Sequence, residues 1–159
     1  MPALPDSARH LVIGAGVHGL STALHLADAG EEALVVDKWF AVQSASRRPD
    51  TLDRVRALMA HPAFDIKVPN KVYALLFAFS ANQVRFHAAD GAGYAFLADQ
   101  VLTLDRLNPM VGARLARAFD RWKKFDAGRQ AHARAQLERI RDAESLSRDA
   151  AEIVTKALA

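Results

Sequence analysis

DKWFAVQSASRRPDTLDRVRALMAHPAFDIKVPNKVYALLFAFSANQVRFHAADGAGYAFLADQVLTLDRLN, residues 37–108, is the stretch whose reading decides the fold. Its apolar residues recur three and four apart. Val55, Leu58 and Met59 share one face around Arg54; Val72, Leu75, Leu76 and Phe79 do so after Pro69; Phe96, Leu97, Val101 and Leu104 do so after Gly93. Such spacing makes an apolar stripe along one side of a helix, and that stripe must be buried against a neighbour. Pro, Gly and Asn cut the segments into helices too short to stand alone. The loops between them are a few residues long. The economical architecture is therefore mainly α: stacked antiparallel helix pairs, an α-solenoid or irregular bundle.

Working outward, the same grammar continues. Asp50 is placed to cap a helix from Thr51, with Asp53 returning the favour to the backbone. His61-Pro62 stops that helix, and Pro62 to Pro69 is a connector. Asn82 to Gly93 is the longest irregular stretch. His87 and Asp90 within it could form an acid–base couple, but a turn at Asp90-Gly91 anchored by His87 is the simpler expectation. Asn108-Pro109 is a strong helix start. The helix it opens buries Val111, Leu115, Ala118, Phe119 and Trp122, and shows Arg114, Arg117, Arg121 and Lys124 outward. Asp126 starts the next helix, with Ala133, Leu137 and Ile140 inside. Ser147 caps the last, which buries Ile153, Val154 and Leu158.

Composition bounds the function. With 159 residues, 51% of them apolar, the chain can build the core of one ordinary domain. Zero cysteines exclude disulfides and thiolate zinc sites, and suit a cytoplasmic setting. The opening MPALPDSARH has no basic region followed by an apolar one, so no signal peptide is expected. No apolar run approaches the roughly 18 residues of a membrane helix. Net charge is +3, with arginines dense between Arg114 and Arg148. Neither a reading element nor stacking aromatics accompany them, so a solvated surface is expected and nucleic acid is not.

The first thirty residues speak differently. His10-Leu11-Val12-Ile13 is a short strand pattern, followed by Gly14-Ala15-Gly16-Val17-His18-Gly19 and a helical pattern from Leu20 to Ala29. Strand, glycine turn, helix with G-x-G-x-x-G spacing is the dinucleotide fingerprint. Gly14 would permit the turn, Gly16 the approach of a pyrophosphate, and Gly19 close helix–strand packing. Ala23, Leu26 and Gly30 extend the pattern. HLVIGAGVHGLSTALHLADAG resembles the start of FAD-dependent amine oxidases of the sarcosine oxidase and D-amino-acid oxidase type. That resemblance implies FAD held by Gly14, Gly16 and Gly19, with Asp37 on the ribose at the end of a second strand, Ala33 to Val36. A doubly wound sheet needs more strands than this to make the loop rigid. Residues 1–30 are read as a truncated Rossmann-type fragment.

Residues 31–159 resemble another family. DKWFAVQSASRRPDTLDRVRALM, HPAFDIKVPNKVYALL, FHAADGAGYAFLADQV, LNPMVGARLARAF and the ending EIVTKALA are similar to the C-terminal helical domain of bacterial aminopeptidase N, a zinc metallopeptidase. On this reading Glu31 to Phe40 opens a helix, and Val35, Val36, Trp39, Phe40 and Val42 share its stripe. The resemblance implies a noncatalytic domain that shapes peptide access to an active site absent from this chain. It makes Arg114 a candidate for lining the substrate channel and an aminopeptidase catalytic domain the expected partner. The zinc would belong to the full-length enzyme: no H-E-x-x-H and no G-A-M-E-N type loop occurs here. No catalytic and no metal-binding residue is expected in this chain. The alternative is a FAD-dependent oxidoreductase fragment binding through GAGVHG.

Overall fold

Helix is the regular structure of residues 32–159, the part of the chain that the computed structural model describes, and no strand occurs among them. The first helix, α1 (Glu32–Ser44), takes the segment that could have been a second parallel strand. Phe40 is fully buried on its inner side, with Val36 and Trp39 partly covered. The stripe is narrower than expected: Val42 is 63% exposed. Asp37 lies on this helix and its carboxylate receives Lys71 Nζ at 2.7 Å in a half-buried ion pair.

α2 (Thr51–Met59) follows a turn at Arg48 to Asp50. Asp50 precedes it as expected but makes no side-chain cap. Its carboxylate is taken instead by Arg54 and Arg48, at 2.8 and 3.1 Å. Those two arginines hold the Asp50 carboxyl down at about 2. Asp53 likewise pairs with Arg56 rather than with the backbone. Two guanidinium groups offer an exposed carboxylate more than a single N–H does.

The third helical segment runs from Pro69 and changes pitch on the way. α3 (Pro69–Val72) passes into a π-helical turn at Tyr73–Phe77 and returns to α-helix in α4 (Ala78–Ser80). Val72, Leu75, Leu76 and Phe79 are all fully buried, the stripe expected from the sequence. Burial of such side chains contributes about 1.5–3 kcal/mol each. The expected irregular stretch then contains a single helical turn, α5 (Gln83–Phe86), capped by Asn82 Oδ1 on the Arg85 N–H.

The second half is four helices wound back on one another: α6 (Ala92–Leu107), α7 (Pro109–Ala116), α8 (Ala127–Arg141) and α9 (Arg148–Leu158). Asn108, Asp126 and Ser147 cap α7, α8 and α9 through their side chains. The helix expected to run past Phe119 to Lys124 ends at Ala116. Two 3-10 turns, Arg117–Phe119 and Trp122–Lys124, replace its second half. They still deliver Phe119 and Trp122 to the core, and the Trp122 indole N–H donates to the Ala157 carbonyl at 2.9 Å.

The first layer, α1 to α4, meets the second, α6 to α9, along an aromatic seam. Phe79 stands edge-on to Phe96 at 5.6 Å and to Phe86 at 6.2 Å, and Phe86 meets Phe119 at 5.8 Å. Such edge-to-face pairs are the favoured geometry of rings in a core. Buried polar ties cross the fold as well. Asn82 Nδ2 donates to the carbonyls of Ser44 and Ser46, at 2.9 and 2.7 Å. The Asp105 carboxylate accepts from Ser147 N–H and O–H at the head of α9.

Candidate functional site

α7 carries the one channel residue that the sequence suggested. Its placement begins with the corner before it. Asn108 Oδ1 accepts from the Val111 N–H, and Pro109 fills the first turn, where no N–H is needed. Gly112 then lets α7 lie against α6: a Cβ there would stand 2.7 Å from the Asp105 nitrogen. With Val111 and Leu115 turned into the core, Met110 and Arg114 lie one turn apart on the outer face. Met110 is 77% exposed, the most open large apolar side chain among the described residues.

Arg114 does not float on that face. Its guanidinium carbon lies 5.2 Å from the centre of the Tyr73 ring and 5.9 Å from that of Phe77. Nη1 reaches the Tyr73 hydroxyl at 3.5 Å. Both rings come from the π-helical turn and meet each other edge to face at 4.8 Å. Among the described residues no carboxylate pairs with Arg114, whereas Arg117, Arg129, Arg134, Arg139 and Arg141 each hold one. A guanidinium lying over rings keeps N–H donors free at its edges, the arrangement suited to receiving a carboxylate. Tyr73, Phe77 and Met110 were not singled out from the sequence. Tyr73 lies 41 positions from Arg114, and no local spacing links them.

The other candidates fall elsewhere. His87 is buried, but its partner is Tyr94 and not Asp90: Nδ1 and the Tyr94 hydroxyl are 2.8 Å apart. Its ring stacks on Phe125 at 3.9 Å and its carbonyl accepts from Arg129 Nε at 2.6 Å. Burial, and then the Arg129 charge, push the His87 imidazole down to about 4, which keeps it neutral. Asp90 turns back to the Ala92 N–H. This is an anchor for the bend at Gly91, as the simpler reading had it. Asp37, the suggested ribose acid, sits on a helix with its carboxylate on Lys71. Gly14, Gly16 and Gly19 lie outside the described residues.

No group of three or more His, Asp or Glu among the described residues is arranged to hold a metal ion, so they do not fit a zinc centre. A cleft of about 510 Å³ separates the 3-10 turns from α9, lined by Arg117, Asp120, Lys123, Glu152 and Lys156 over Ile153 and Ala157. Its walls mix both signs, and Arg117 is already paired with Asp120.

Comparison with known proteins places this geometry. The chain is 47% identical over 128 residues to an aminopeptidase N of Caulobacter vibrioides, a match that takes in 80% of this chain and 15% of that protein. It is 42% identical over 130 residues to aminopeptidase N of Escherichia coli, covering 81% of this chain and 15% of that one. The chain thus spans about 15% of the length of these curated relatives. Among solved structures, the aminopeptidase A of Legionella pneumophila, crystallised with aspartic acid, superposes on 89% of this chain and 16% of its own. The TM-score is 0.74 at 36% identity. These relatives are aminopeptidases, and they give the flavin reading no support. The family profile described as "Domain of unknown function (DUF3458_C) ARM repeats" matches residues 23–159, beginning inside the stretch that the glycine pattern had claimed. This chain therefore belongs to that ARM-repeat family, the C-terminal helical domain of aminopeptidase N-type proteins.

Proposed function

We propose that this chain acts as a noncatalytic helical cap for an aminopeptidase N-like catalytic domain, shaping how peptides reach an active site that it does not itself carry. The observation that supports this best is the match of residues 23–159 to a domain that occupies about 15% of whole aminopeptidases. Arg114, over Tyr73 and Phe77 and beside the open Met110, is the face offered to the passing peptide. The working compartment on this reading is the cytoplasm, with which a chain of zero cysteines is compatible.

The test is complementation. An aminopeptidase N deprived of its own last helical domain is mixed with this chain, and hydrolysis of an alanyl-anilide is followed. The expected result is recovery of activity in the mixture and none from this chain alone. Hydrolysis by the isolated chain would overturn the noncatalytic reading. Flavin absorbance that stays with the chain through gel filtration after incubation with FAD would favour an oxidoreductase fragment instead.

A further inference from the structure

We infer that the π-helical turn Tyr73–Phe77 is a platform that fixes the plane of the Arg114 guanidinium, so that its free N–H edges meet a peptide carboxylate in one orientation. What Arg114 meets rests on the proposed function; how Arg114 is held rests on the geometry alone.

A π turn closes i→i+5 hydrogen bonds and so fits an extra residue into one turn of helix. Here the widened turn keeps Leu75 and Leu76 in the core while Tyr73 and Phe77 stay half-buried, edge to face at 67°. The layers beneath are fixed: α1 packs on this turn, and Val72 and Phe79 on either side of it are fully buried. Arg114 comes from the other layer, on a helix held tight to α6 at Gly112. Both rings and the arginine's backbone thus belong to elements packed into the core. A long arginine on an open surface ordinarily samples many rotamers, and ordering it costs conformational entropy at the moment of binding. Two ring faces at 5.2 and 5.9 Å order it beforehand. Among the described residues no acidic neighbour competes for its edges, in contrast to the paired Arg117, Arg129 and Arg134. The planar fork then suits the two oxygens of a carboxylate, which a lysine at the same place would meet as a point charge.

The experiment uses this chain with nitrogen-15 arginine and reads the side-chain signals of Arg114. Without ligand, rotation of the guanidinium about its Nε–Cζ bond is expected to be slowed in the wild type and in Tyr73→Phe. It is expected to be fast in Tyr73→Leu and Phe77→Leu. Titration with trialanine should shift the Arg114 Nε–H signal, and trialaninamide, which lacks the carboxylate, should not. Loss of either ring should weaken the trialanine response about two- to fivefold, the scale of one exposed cation–π contact. Unchanged guanidinium rotation in a folded Tyr73→Leu or Phe77→Leu variant would overturn the platform, the two variants guarding against one that fails to fold. Equal shifts from the acid and the amide would overturn carboxylate selection. Failure of complementation alongside an ordered Arg114 would instead sink only the proposed function.

Discussion

His87 is held on every side. Tyr94 meets its Nδ1, Phe125 covers one face, and Arg129 binds its carbonyl while Asp126 holds the Arg129 charge. Its imidazole is lowered from 6.5 to about 4, by burial first and by Arg129 second. Between those values the unfolded chain binds a proton that the folded chain refuses, so stability rises with pH across that window. The His87 contribution is complete above about 6.5 and lost as pH falls towards about 4. Urea midpoints measured from pH 7 to 4 should fall in the wild type and fall less steeply in His87→Gln. Asn82 gives a second residue-scale expectation. Its side chain donates to two carbonyls of the α1–α2 turn and caps α5. Asn82→Ala leaves those carbonyls without their partner and removes a cap, and should cost about 2–3 kcal/mol in denaturant unfolding. That His87 anchors the turn was legible in the sequence, but its partners were not, nor was the role of Asn82. Asn82 binds 36 and 38 positions away, and His87 finds Tyr94 because the chain turns back at Gly91 with φ of +72°. Periodicity reports neighbours on one element and is blind to such ties.

At the scale of elements the sequence was more legible. The stripes of α3–α4 and α6 were read correctly because burial on one helical face imposes a period whatever the helix packs against. The caps at Asn108, Asp126 and Ser147 were legible because a side-chain oxygen three residues ahead of a free N–H is a local matter. Asp50 misled for the opposite reason, since arginines on both sides outbid the backbone. The break at Ala116 left no trace, since the 3-10 turns still turn Phe119 and Trp122 inward. The π turn was likewise invisible, its extra residue sitting between apolar positions that keep helical spacing. The corner that presents Arg114 was half legible: Asn-Pro announced it, but the reason for Gly112 lies in the Asp105 backbone across the hairpin. Gly112→Ala should push α7 off α6 and cost about 1–3 kcal/mol, with the Arg114 signal shifting in the same spectrum. Alanine favours helix over glycine by about 1 kcal/mol, so a gain in stability would mean that the approach is looser than described.

For the molecule as a whole, two layers share one core, and the seam between them is aromatic. Phe79 touches Phe86 and Phe96 across it, with no exposure to solvent. Phe79→Ala should cost about 3–5 kcal/mol. Because the seam belongs to both layers, far- and near-ultraviolet dichroism should lose their signals together in one transition. Two separated transitions would mean that the layers fold independently. The helical architecture and family were legible at this scale, because several blocks in order carried them. The outward placing of Met110 beside Arg114 on one face was not, since it depends on where α7 packs against α6.

The two tryptophans fall one in each layer. Trp122 has its indole N–H on the Ala157 carbonyl in the last turn of α9, while Trp39 on α1 lies 5.3 Å from the His61 ring. The chain thus carries a pair of native fluorophores with different quenchers. Release of α9 should redden the Trp122 emission while leaving that of Trp39, packed against His61 in the other layer, unchanged. Single-tryptophan versions would let each layer be watched by its own colour as the chain unfolds.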